Sequence, residues 1–74
     1  MKTLADLAIG EKGIVKKIGC EPSVKRNVMT NGMIRGSEVT LTSMAPLGDP
    51  LVFLVISTKL SLRAEDAANI TIED

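Results

Sequence analysis

Histidine, tryptophan and tyrosine are absent from this 74-residue chain, which holds one cysteine, Cys20, and one aromatic residue, Phe53. A zinc finger needs four nitrogen or sulfur ligands, so that class is excluded, and a dedicated transition-metal site loses its usual donors. A lone Cys20 closes no internal disulfide, so cysteine usage gives no sign of an oxidising compartment. Grooves that read proline-rich peptides and platforms that stack nucleic-acid bases are both built from clustered aromatics. One Phe builds neither. Net charge is also lacking: nine basic residues balance nine acidic ones, which leaves no overall excess to neutralise phosphates. The longest unbroken apolar run, Leu51 to Ile56, is far short of the roughly 17 to 25 residues of a membrane helix. The opening Met1-Lys2-Thr3-Leu4-Ala5-Asp6 lacks the apolar core of a signal peptide. Neither a Walker-type phosphate loop nor a paired set of carboxylates is visible, so no catalytic residue, cofactor or metal ligand is assigned. These absences predict a soluble, noncatalytic, cytoplasmic protein.

What is present is aliphatic: 45% of the chain is hydrophobic. Residues 1–74 read as one domain, near the lower size limit for an unstapled core. Thr3 and Asp6 have the spacing of a capping box around Leu4. Gly13 to Ile18 reads as a first strand, with Ile14, Lys16 and Ile18 on one face. A short helix follows over about Pro22 to Thr30, with Ser23 as its N-cap and Val24 and Val28 on one side. Asn31-Gly32 ends it, which places Met33 where a Schellman motif makes its apolar contact, over Val28.

The segment "SEVTLTS" alternates as a half-buried strand with Val39 and Leu41 inward. Pro46 and Pro50 break the ladder and make "APLGDP" a connection. The strand behind it is apolar on both faces, which predicts a strongly bent strand, with Asp49-Pro50 and Lys59 guarding it against edge aggregation. "TKLSL" turns Leu60 and Leu62 inward, "RAEDAAN" makes a helical turn, and "ITI" is a last strand. The expected fold is mainly β: a small, partly open barrel of about five strands, with one inserted helix and a helical turn before the last strand.

The order of these elements, together with "GMIRGSEV", "APLGDPL" and "KLSLRAEDAANI", resembles the FeoA family of small SH3-like barrels over essentially the whole chain. Gly32, Gly36, Glu38 and Val39 match its "G-x-x-x-G-x-E-V". Pro46 to Pro50 match its "P-L-G-D-P", and Leu60, Leu62, Arg63, Glu65 and Ala67 match its "L-x-L-R-x-E-x-A". Arg35 stands where the family favours Pro, Asn31 where it favours Leu or Met, and Ser57-Thr58 where Gly-Tyr is typical. The resemblance implies a bacterial accessory protein of ferrous-iron uptake that acts with the cytosolic part of the membrane GTPase iron permease. It also implies an alternative, because the same barrel occurs as a C-terminal interaction domain of metal-dependent repressors.

Six residues are candidates for a partner surface. Lys25, Arg26 and Arg35 read either as a solvated basic face or as a contact for an acidic partner patch. Met33 and Ile34 sit on the turn after the helix, where Met33 is either the capping contact or an exposed anchor. Leu47, at the tip of the proline-bracketed turn, either folds back onto the barrel or points outward from a rigid platform. Cys20 reads as a small apolar filler. The apolar run Leu51–Ile56 would also suit a homodimer contact.

Overall fold

A computed structural model describes residues 2–73. Its strands are β1 (Lys12–Ile18), β2 (Glu38–Met44), β3 (Leu51–Val55), β4 (Thr58–Leu62) and β5 (Ile70–Ile72). Helix α1 (Pro22–Thr30) lies between β1 and β2, and a single turn, α2 (Ala64–Ala67), between β4 and β5. All neighbours pair antiparallel in the order β4-β3-β2-β1-β5. Opposite ends of β1 serve different partners: Lys12–Ile14 pairs with β2, and Val15–Ile18 with β5. One strand bridging two neighbours in this way curls a five-stranded sheet into a partly open barrel.

Two bulges give the sheet its bend. Lys16 is the extra residue of β1 opposite β5, and Thr42 is the extra residue of β2 opposite β3. A bulge interrupts the alternation of faces, which corrects the expected phase of β1. Gly13 and Val15 face the core, Lys16 and Lys17 are both exposed, and Ile14 and Ile18 are half-buried. The expected bend in β3 is likewise found in β1 and β2 instead. β3 keeps Leu51, Phe53 and Val55 inward along its whole length, with Val52 and Leu54 half-buried outside.

Phe53, Leu4, Met33, Leu41 and Ile70 are the largest fully buried side chains, and no polar or charged side chain is buried among the described residues. Burial of this apolar set drives the fold, at roughly 25 cal/mol per Å² of apolar surface removed from water. Near the N-terminus, the Asp6 carboxylate accepts from the Thr3 N–H at 2.8 Å and from its hydroxyl at 3.3 Å, closing a 3-10 turn over Leu4–Asp6. That turn drops Leu4 and Leu7 into the core. Thr3 bridges Thr71, and Ile72 N–H donates to Lys2 O at 2.9 Å, so the first residues run along the outer edge of β5.

The N-cap of α1 is Glu21 rather than Ser23, because Pro22 takes the first helical position, where its missing N–H costs nothing. At the other end Gly32 adopts φ +97°, its N–H reaches Met29 O at 3.0 Å, and Met33 N–H reaches Val28 O at 2.9 Å. These are the two bonds of the Schellman motif, and they carry Met33 into the core. Ile56, expected in β3, instead forms a two-residue hairpin turn with Ser57 at φ +58°.

Candidate partner-binding surface

Of the six candidate residues, three come together. Lys25, from the exposed side of α1, and Arg35, just beyond its exit turn, line one cleft of about 310 Å3 together with Lys16, Lys17, Ile18 and Met29. A wider depression of about 700 Å3 adjoins it and shares Lys25 and Met29, with Arg26, Cys20, Pro22 and Thr30 completing its wall. Met29, 45% exposed, forms the apolar element common to both. Ile34 is half exposed beside Arg35.

The remaining two candidates lie elsewhere. Met33 is fully buried and offers no surface; the capping geometry accounts for it completely. Leu47, 95% exposed, points outward from its turn at the opposite end of β2 from Arg35, about 20 Å away at the rise of a strand. That turn is braced by Gly48 N–H to Ala45 O at 2.8 Å and Ala45 N–H to Pro50 O at 3.0 Å, around a cis Asp49–Pro50 peptide. Asp49 does more than guard an edge. Its Oδ1 accepts from Ala64 N–H at 3.0 Å, satisfying a free donor at the start of α2 from a distant loop.

Two residues of the basic cleft, Lys16 and Lys17, were not expected there. Strict alternation sends neighbouring side chains to opposite faces; the bulge at Lys16 turns both outward. The Lys-Lys pair was visible in the sequence, but its shared direction was not.

The ion pairs lie outside this region: Lys2–Glu11 at 3.2 Å, Lys12–Glu38 at 3.7 Å and Arg63–Glu65 at 3.7 Å, all on exposed side chains. Among the described residues none of the five cleft cations takes part in one. Cys20 sits half-buried at the cleft wall, its thiol donating to Asp66 O at 3.4 Å. Burial pushes its pKa up, and the negative charges of Asp66 and Glu21 push the same way, so it stays a protonated and poorly nucleophilic thiol. Among the described residues no three Cys, Asp or Glu side chains gather into a metal-holding group, and no helix is long and apolar enough to cross a membrane.

A curled five-stranded antiparallel sheet with one helix inserted after its first strand defines a small SH3-like barrel domain. The FeoA domain model matches residues 2–74, and the chain belongs to the FeoA family. It is 29% identical over 70 residues to the Fe(2+) transport protein A/Fe(2+) transporter FeoB fusion protein of Porphyromonas gingivalis; that match covers 95% of this chain and 8% of the fusion. The solution structure of FeoA from Chlorobium tepidum is 32% identical and superposes with a TM-score of 0.92, over 96% of this chain and 68% of that one. The zinc-complexed crystal structure of Stenotrophomonas maltophilia FeoA, an SH3 domain protein, gives a TM-score of 0.80 at 23% identity, over 99% of this chain and 91% of that one, a likeness of fold.

Proposed function

We propose that this chain is a noncatalytic, cytoplasmic accessory protein of bacterial ferrous-iron uptake, acting by direct contact with the cytosolic part of the membrane GTPase iron permease. The observation that carries this reading is the Porphyromonas gingivalis fusion, which joins a FeoA-like segment to a FeoB transporter in one polypeptide. Tethering replaces a bimolecular encounter with an intramolecular one, raising the effective concentration of one module near the other to the millimolar range for a short linker. Tethering places two modules together, and contact between them still needs a surface on each; this domain offers the basic cleft around Met29 and the outward Leu47.

The test is a titration of isotope-labelled protein with the permease's cytosolic domain, with and without guanine nucleotide, followed by amide shifts. Saturable shifts confined to one surface are expected. No perturbation at high concentration in either nucleotide state overturns the reading and favours the repressor-type interaction domain, which has no reason to bind a permease.

A further inference from the structure

Net charge of zero hides a segregated surface. Five of the nine basic residues, Lys16, Lys17, Lys25, Arg26 and Arg35, converge on two adjoining clefts from three separate parts of the chain. Among the described residues neither cleft has a carboxylate in its lining, and no ion pair neutralises any of the five. Asp66 and Glu21 lie outside the lining but close enough to Cys20 at the wall to raise its pKa, Asp66 the more strongly. Clustered like charges repel one another, so gathering them without internal partners costs stability that an external anion would recover. The bulge at Lys16 adds to the concentration by turning two consecutive lysines to one side.

We infer that this face receives an acidic protein segment that carries an apolar side chain, with carboxylates on the lysine and arginine rim and the apolar residue against Met29. Three observations select a polypeptide from other anions. The clefts are broad, about 310 and 700 Å3, and walled by flexible cationic side chains rather than a nest of backbone N–H groups that would clasp one phosphate. The chain's one aromatic residue, Phe53, is fully buried, so no base can stack beside the cations. A membrane surface calls for protruding apolar residues among the cations. Here the most exposed apolar residue, Leu47, lies at the other end of β2, and Met29 sits within the depression. That leaves the half-exposed Ile34 beside Arg35 as a lone apolar side chain at the edge of the patch rather than the row an interfacial anchor presents. The identity of the partner rests on the reading above; the chemistry of the segment does not.

The experiment uses the full chain and three probes: a synthetic peptide of Glu-Glu-Leu repeats, phosphatidylglycerol vesicles, and the permease's cytosolic domain. The peptide is expected to shift amides of Lys16, Lys25, Met29 and Arg35, with binding that weakens as salt rises. The double variant Lys25→Glu/Arg26→Glu, and separately Lys16→Glu/Lys17→Glu, should each lose about tenfold in peptide affinity, while Lys59→Glu on β4 should not. Thermal melts check that each variant remains folded; using two independent pairs means that loss of one fold does not remove the test. Peptide binding that all three variants share equally, no salt-sensitive peptide binding, or binding to vesicles alone overturns the inference. If the permease domain binds with shifts confined to another face, this surface is wrong but the proposed function survives. If the peptide binds the cleft and the permease domain binds nowhere, the surface is right and the proposed partner is wrong.

Discussion

Ile56 holds φ at +58° while 81% exposed, a conformation in which a β-branched side chain crowds its own backbone. The left-handed region costs a residue with a Cβ about 1–2 kcal/mol, and Gly in its place loses about 0.5–1 kcal/mol through a freer unfolded chain. Because so little of the side chain is buried, the first effect wins. Ile56→Gly is expected to raise stability by up to about 1 kcal/mol, or several degrees in Tm for a domain of this size. A melt showing a lower Tm would mean that the isoleucine makes a contact worth more than its strain. Glu11 offers a second test. Its Oε1 accepts from Ala8 N–H at 2.8 Å and its Oε2 pairs with Lys2, which together hold its pKa below the usual carboxylate value, the backbone bond contributing most. A lowered folded pKa contributes stability that is present above the unfolded value, about 4.3, and is lost as pH falls through the folded one. Glu11→Gln should therefore flatten the acid limb of the stability curve as pH falls through and below the unfolded value of about 4.3, read by urea unfolding at several pH values. Parallel curves for the two proteins would refute that role.

At the scale of elements, α2 shows how a four-residue helix survives. It has no side-chain N-cap of its own; Arg63 occupies that position, and Ala64 N–H is satisfied by Asp49, which lies just beyond the end of the neighbouring β3 where β3 and β4 pair. Asp49→Ala should cost about 1 kcal/mol, as the loss of a helix cap does, and Asp49→Asn, which keeps the acceptor oxygen, should cost much less. Denaturation midpoints decide, and equal losses would show that charge, not the hydrogen bond, is what Asp49 supplies. Elements of this kind divide what the sequence reveals from what it hides. The span of helix α1 was readable because Pro22, Val24, Val28 and Gly32 act through local rules, although its N-cap is Glu21 and not the expected Ser23, and the Schellman contact of Met33 follows from Gly32 alone. The sheet's curvature was not readable, since a bulge at Lys16 or Thr42 depends on how a distant strand registers opposite it. Asp49 capping Ala64 fifteen residues away is nonlocal in the same sense. The candidate surface inherits this division: Lys25, Arg26 and Arg35 were found from one helix and its exit, whereas Lys16 and Lys17 joined them only through the fold.

For the whole molecule, the arrangement of charge matters more than its sum. Equal numbers of basic and acidic residues predict weak, nonspecific electrostatics only if the two signs are mixed over the surface. Here five cations share one face, while the three ion pairs among the described residues are spread elsewhere. An extended anionic support touches one face at a time and within a Debye length of about 8–10 Å, so it reads that local patch and not the total. The protein should be retained on a cation exchanger near pH 7 at low salt despite its formal neutrality. Lys16→Glu and Lys59→Glu change net charge by the same amount, yet only the first lies in the patch. The first should elute at clearly lower salt than the native chain, and the second close to it. Coincident elution of the two variants would show that retention follows net charge, and the cationic face would then be no more than the sum of scattered surface lysines.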